Sequence, residues 1–352
     1  MIKHKNFNPL KYQPALDGIR ALAIALVILA HANFQLFKNG GIGVSVFFAL
    51  SGFLITTLLL EEFNTNNNIS LKGFYVRRTM RLFPALYVML IFVFIYSTFF
   101  RIPSDQKMIN HEILSSALYV LNISWTWGWG TPGIILYHTW SLGVEEQFYL
   151  FWPILLLLLL RKKITTPLVY LLGILISIIW GLNYFEAFPI ILGSILKVSI
   201  FIGCLGALVR FYGFFTMKIP LFAALLSLMI IFLIGIYPKE INHYNDIFNI
   251  SSVLSVIIIF HIIGNSESII SKFFSNKIMV FIGKISYSLY LWHLPIFKIF
   301  GTSLTFLPPH IAFIGKFIVS FLFALASWYL VEKKATALGR KWSAKIAEKQ
   351  HV

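Results

Sequence analysis

Charge is scarce in this chain. Only 12% of its 352 residues are Asp, Glu, Lys or Arg, about half the share found in an average soluble domain. Cysteine is scarcer still, with Cys204 alone inside an apolar run. That excludes an intrachain disulfide framework and any cysteine-based metal site, and it leaves the redox compartment open. Acidic residues number 13 against 29 basic ones, for a net charge of +16. Such a balance can mark a nucleic-acid binder, but here the basic residues are scattered between apolar runs and no basic fold of any size remains. No nucleic-acid partner is expected, and placement against a lipid bilayer accounts for the charges better.

Apolar surface is what the chain has in quantity: 58% of residues are hydrophobic and 17% aromatic. Runs of about 20 apolar residues, the length that crosses roughly 30 Å of hydrocarbon at 1.5 Å per residue, recur along it. Ten can be drawn: Leu16 to Phe34, Ile42 to Leu60, Leu82 to Phe100, Trp140 to Leu160, Leu168 to Phe185, Pro189 to Val209, Ile219 to Tyr237, Phe248 to Ile263, Ile278 to Phe300 and Ile311 to Val331. Almost nothing is left over for a soluble domain. Lys3, Lys5 and Ala30-His31-Ala32 imitate a signal peptide with its cleavage site. The apolar stretch between them is long for that role, carries Asp17 and Arg20, and is followed closely by a second span.

The segment Ile113 to Ile123 is apolar but too short to cross, and it reads as re-entrant or interfacial. The distribution of positive charge favours that reading. With ten spans and an internal N-terminus, the inner segments carry 20 Lys and Arg, including Lys72, Arg77, Arg78 and Arg81 before the third span; the outer loops carry only Lys38, Arg101, Lys107 and Lys239. The expected fold is therefore an all-α integral membrane bundle of about ten transmembrane helices, one domain over residues 1–352, with both termini cytoplasmic. No internal repeat is visible.

Ionisable groups inside such spans cost roughly 2.5 to 3.5 kcal/mol at helix centre and mark functional candidates. Asp17 and Arg20 open the first span, and Asp17 is placed to pair with Arg20. His31 follows Arg20 by eleven residues, on the same face and about 16 Å along the helix. A helix-end salt bridge plus a bundle histidine would explain this group equally well. Glu145 and Glu146 lie one turn inside the fourth span, where an interfacial cap explains one carboxylate more easily than two. In the ninth span, Ser286, Tyr290 and His293 form one stripe at i, i+4 and i+7, which a structural hydrogen-bond network would also explain. Lys197 and Lys284 complete the set. By direction of travel His31, Glu145, Glu146 and His293 fall in the outer half, Arg20 and Lys284 in the inner half, and Lys197 near mid-depth. Beneath the inner half, in what reads as the loop Phe74 to Pro84, Arg77, Arg78 and Arg81 have the spacing for bidentate phosphate binding. Anionic lipid is the competing ligand.

Taken as an ordered set, these residues resemble the acyltransferase 3 family of multispan membrane proteins. The likeness rests on Leu16-Asp17-Gly18-Ile19-Arg20-Ala21-Leu22-Ala23 with His31, Gly43 to Ile55, Arg78 and Arg81 ahead of Pro84, Trp140-Ser141-Leu142 with Glu145 and Phe148-Tyr149, and Ile285-Ser286-Tyr287 with Tyr290 and His293. The resemblance implies an enzyme that takes acyl-CoA, most often acetyl-CoA, from the cytoplasm and modifies a hydroxyl, commonly on a surface glycan or glycolipid such as lipopolysaccharide, in a bacterial inner or plasma membrane. It makes His31 the catalytic base and Arg78 and Arg81 ligands of coenzyme A. No cofactor is expected to stay bound; acyl-CoA enters as co-substrate. Two departures stand out. Leu330-Val331-Glu332-Lys333-Lys334 lacks a proline that many relatives carry after the glutamate. Nor does an esterase-like domain follow Val331, so the chain is expected to act alone or with a separate envelope acyl-transfer protein.

Chemistry divides the labour in the same way. A thioester is already activated, so the main task is to deprotonate a poor nucleophile, and a histidine of pKa near 6.5 suits it. The expected catalytic residues are His31, Glu145, Tyr290 and His293: base, orienting carboxylate, and hydrogen-bond donors to the acceptor or the oxyanion. The expected donor-binding residues are Arg20, Arg77, Arg78, Arg81 and Lys284, and no metal is expected. The rival reading is a transporter or flippase for a glycan or acyl carrier, with the same charges lining a path. A structural member of a glycan-assembly complex is a third reading.

Overall fold

A computed structural model of the chain describes residues 9–32, 39, 41–100, 103–126, 135–162, 166–184, 196–214, 218–236, 244–301 and 307–350. All regular structure among them is helical: α1 Pro14–His31, α2 Gly41–Asn66, α3 Leu71–Phe100, α4 Pro103–Ala117, α5 Leu121–Thr126, α6 Trp140–Arg161 after a 3₁₀ turn at Tyr137–Thr139, α7 Thr166–Tyr184, α8 Val198–Phe211, α9 Leu221–Ile236, α10 Tyr244–Gly264, α11 Ile269–Phe274, α12 Lys277–Lys284, α13 Ser286–Ile299, α14 Pro309–Ser327, a π-helical turn at Trp328–Glu332, and α15 Lys333–Gln350. Among the described residues six helical runs are long and apolar enough to cross a membrane: Pro14–His31, Gly41–Asn66, Leu71–Phe100, Tyr137–Arg161, Asp246–Gly264 and Pro309–Glu348. Leu168–Leu182, Val198–Phe211 and Leu221–Ile236 are apolar but shorter. Large apolar side chains stand exposed along these helices, among them Leu171, Ile174 and Ile178 on α7 and Leu226, Met229 and Leu233 on α9. Such a surface is stable against lipid and not against water, and the chain is a multi-pass membrane protein.

Four expected boundaries are corrected. The segment Phe74 to Pro84 is no loop: α3 begins at Leu71 and runs 30 residues, with Pro84 inside it. The tail after Val331 continues the last span through the π turn into α15. The ninth span, expected as one helix from Ile278 to Phe300, breaks at Ile285, where φ −91° and ψ 2° leave the helical range. Lys197, expected inside the sixth span, instead stands at the N-terminus of α8 in an extended conformation. Parts of the expected first, fifth, sixth and seventh spans lie outside the described residues. Within Ile113 to Ile123 the helix ends at Ala117 and Tyr119 takes a left-handed φ of 55°, so the segment is two short helices about a corner.

The chain divides into two compact units, each assembled from separated stretches. Residues 1–69 and 149–284 form the first, and residues 70–148 and 285–352 form the second. In the first unit, Trp152 Nε1 donates to Thr56 Oγ1 and Arg161 to Asn68 Oδ1, so α6 runs parallel to α2. Ser252 donates to the Ser45 carbonyl and the Phe53 and Phe260 rings meet, so α10 is parallel to α2 as well. Helix α9 runs the opposite way, its start beside the end of α10 where His261 Nδ1 meets the Ile219 carbonyl at 2.8 Å. Backbones touch where α2 crosses α8: a Cβ on Gly52 would lie 2.1 Å from the Ile200 carbonyl oxygen, and one on Gly203 equally close to that of Ala49. Small residues permit this close packing in lipid.

In the second unit, Tyr287 donates to the Leu82 carbonyl and Trp292 packs on Phe92. Helices α3 and α13 are therefore parallel. Helix α14 returns antiparallel, with Phe313 on Phe297 near its start and Phe323 on Trp292 further along. Helix α15 then lies along the first turns of α3, where Gly339 meets Met80 and Ser343 accepts from Arg77.

Candidate active site

In the first unit, Pro14 stands at the start of α1, where its missing N–H costs nothing. Asp17 in the first turn complements the helix dipole. It also holds Arg20, with Nη1 2.6 Å from Asp17 Oδ1, and accepts from the Tyr12 hydroxyl through Oδ2 at 2.7 Å. Partial burial and the Asp17 carboxylate together push the Tyr12 phenol up to about 12. The Asp17 to Arg20 turn is clasped at backbone level. A Cβ on Gly283 would lie 1.8 Å from the Asp17 carbonyl oxygen, and one on Gly18 2.0 Å from that of Phe274. This packing brings exposed Lys284, next to Gly283, to the same end of the unit as Arg20. His31, half-buried, closes α1 at its other end.

Three of the remaining sequence-predicted residues come together in the second unit. Tyr290 and His293 are buried on α13, and Glu145 on α6 lies within electrostatic reach of Tyr290. The Tyr290 hydroxyl donates to the His138 carbonyl at 2.7 Å and meets Ser141 Oγ at 2.7 Å. Its proton is directed at that carbonyl, so in this geometry Tyr290 holds the entry of α6. His293 Nδ1 sits 2.7 Å from the Tyr290 carbonyl, which can only accept. The proton therefore rides on Nδ1, and Nε2 of the neutral ring is the acceptor. The His138 ring packs edge-on against His293, centroids 5.2 Å apart, and against Tyr290 at 5.3 Å.

This corner is set from α4. Glu112, 2% exposed, accepts the backbone N–H groups of Ile135 at 3.0 Å and Leu136 at 2.9 Å. Ser116 and Thr139 share a hydrogen bond of 2.7 Å four residues later. Further along α6, Gln147 and Asn122 exchange side-chain hydrogen bonds, and Gln147 Nε2 also donates to the Tyr119 carbonyl.

At the start of α3 the three arginines separate. Arg77 donates to Ser343 on α15. Arg78 lies over the Phe74 ring, 5.9 Å from its centroid, and within electrostatic reach of Glu146. Arg81 is in the same relation to Glu332, the last residue of the π turn, which is 1% exposed and accepts from Ser288 at 2.6 Å. A series of polar residues thus passes through the second unit, from Arg78 by way of Glu146 to Glu145, Tyr290, His138 and His293, with Arg81 beside Glu332. Glu112, Tyr119, His138 and Glu332 carry no role in the sequence reading. An acid one residue ahead of the short apolar segment Ile113 to Ile123 was the only signal for Glu112. Among the described residues no group of three or more His, Cys, Asp or Glu is placed to hold a metal.

The chain is 35% identical over 325 residues to the peptidoglycan O-acetyltransferase OatA of Listeria monocytogenes, covering 86% of this chain and 52% of that protein. It is 32% identical over 323 residues to the O-acetyltransferase OatA of Staphylococcus aureus, covering 83% and 51%, and 33% identical over 317 residues to a putative O-acetyltransferase of the same species, covering 82% and 51%. The chain spans about half the length of the curated relatives it matches. No solved structure matches it. The acyltransferase domain family matches residues 13–331, nearly the whole chain and all of the sequence-predicted site residues, and the chain belongs to that family.

Proposed function

We propose that this protein moves an acetyl group from acetyl-CoA, taken on the cytoplasmic side of a bacterial plasma membrane, to a hydroxyl of a cell-envelope glycan or glycolipid. The observation that carries this reading is the series of polar residues in the second unit, which has phosphate-binding chemistry in Arg78 and Arg81 at one end and hydroxyl and imidazole chemistry at the other. Peptidoglycan is the favoured glycan, because the Listeria relative is named for it.

His31 takes the proton of the acceptor hydroxyl as its oxygen attacks the thioester carbonyl. The C–S bond then breaks, the proton passes to the departing thiolate, and an ester and free coenzyme A result. Arg78 and Arg81 anchor the phosphates; in the same unit Glu145 orients the reacting groups, and His293 offers Nε2 to the acceptor. Delivery to the glycan is direct or runs through a separate envelope acyl-transfer protein.

Protein in nanodiscs, given acetyl-CoA and a soluble glycan fragment, should release free thiol in step with ester formation. Labelled acetyl-CoA supplied to cells with and without the gene should differ in envelope-bound label. A protein that moves substrate without releasing thiol is a transporter instead.

A further inference from the structure

One buried cluster in the second unit has no part in the transfer steps above. Its centre is Tyr119, at the corner between α4 and α5, whose φ of 55° is a left-handed conformation that costs a tyrosine energy. The surroundings hold it there. Gln147 donates to its carbonyl at 2.9 Å, Gly143 leaves room for that carbonyl where a Cβ would come within 2.8 Å of it, and Phe83 packs on its ring with centroids 5.0 Å apart. The side chain is 7% exposed, and its hydroxyl faces Tyr287, Glu146 and Glu145. Two buried polar atoms at this point are short of partners among the described residues: Glu146 Oε1, and the Tyr119 hydroxyl, whose one side-chain neighbour for hydrogen bonding is Tyr287, already donating to the Leu82 carbonyl. Buried polar atoms are nearly always partnered, and exceptions call for a ligand, a water or strain with a purpose.

We propose that Tyr119 and Glu146 bind the pantetheine arm of the acyl donor, Tyr119 donating its hydroxyl proton to an amide carbonyl and Glu146 Oε1 accepting from an amide N–H. This rests on the acyl-CoA reading above. The placement supports it: Arg78, an expected phosphate ligand, lies beside Glu146, and Glu145, beside Tyr290, is the next residue on α6. A donor anchored by its phosphates at Arg78 extends its arm past these atoms. The arm carries two secondary amides, and amides inside hydrocarbon must find partners. A tyrosine hydroxyl with Tyr287 alone beside it and an unpaired carboxylate oxygen, held by a strained corner, supply the complement.

The test uses full-length protein in nanodiscs and three acetyl donors: acetyl-CoA, S-acetylpantetheine with two amides, and S-acetyl-mercaptoethanol with none. Tyr119→Phe keeps the ring and removes the donor. It should raise KM for both amide-bearing donors about fivefold, the worth of one ordinary hydrogen bond, and leave KM for the amide-free donor and kcat for all three within twofold. Glu146→Met, which keeps the length of the side chain and removes both acceptor oxygens, should shift the same two donors. Equal losses with all three donors would show that Tyr119 only shapes the corner, and unchanged KM in both variants would show that water satisfies these atoms; either result overturns the proposal while thiol release continues. Wild-type protein that consumes none of the three removes the transferase reading and this one together.

Discussion

Ser288 donates to Glu332 across 2.6 Å, joining the first turn of α13 to the π-helical turn that ends α14. Both residues are fully buried, and Arg81 lies within electrostatic reach of the carboxylate. π-turns are rare and recur at functional positions. Here the widened turn sets a carboxylate between two helices of the second unit. Glu332→Ala leaves the Ser288 hydroxyl and the Arg81 charge without this partner and should destabilise the fold by about 2 to 4 kcal/mol. Thermal unfolding in detergent measures it. A melting point within one degree of wild type would mean that the contact contributes nothing net.

Topology offers an independent check, motivated by the 20 to 4 distribution of basic residues. Reporter fusions after Lys107 and Lys239 should read external, and fusions after Lys163 and Val352 cytoplasmic. A cytoplasmic signal at Lys107 or an external one at Lys163 would invert the proposed access of the donor.

The arginines of α3 should separate by function. Alanine at both Arg78 and Arg81 should weaken acetyl-CoA binding at least tenfold, since each charge-assisted phosphate contact contributes roughly 1.5 to 3 kcal/mol. Arg77→Ala should instead loosen α15 from α3 through the lost bond to Ser343, seen as faster proteolysis of the C-terminal helix with donor affinity within threefold of wild type. Unchanged affinity in the double variant would point to anionic lipid as their ligand.

For His31 the expected result is a separation of binding from chemistry. His31→Ala should insert, bind acetyl-CoA normally and lose transfer by roughly 100-fold or more, the usual consequence of removing a positioned base. His31→Gln keeps hydrogen-bonding ability without a titrating nitrogen and should be nearly as inactive. An active glutamine variant would hand proton abstraction to His293, whose Nε2 is the acceptor nitrogen.

The sequence by itself determined that this is a membrane-embedded helical chain, because spans of about 20 apolar residues have no other stable environment. It also determined which polar residues are costly enough to need a reason, and the order of motifs that marks the family. Short-range geometry was legible for the same cause: Asp17 with Arg20 and the Ser286, Tyr290, His293 stripe follow from helix periodicity alone. Tertiary structure alone decided the rest. That Arg77 turns to Ser343, 266 residues away, that Glu112 holds the peptides before His138, and that Glu332 returns to Ser288 all depend on which helices pack together. Hydropathy does not encode this, since lipid-facing and protein-facing apolar surfaces look alike in sequence. The choice between Glu145 and Glu146 was closed to sequence for a related reason. Neighbours about 100° apart on a helix are told apart only by what stands opposite each of them, and opposite Glu146 stands a tyrosine held at a backbone angle that no propensity favours.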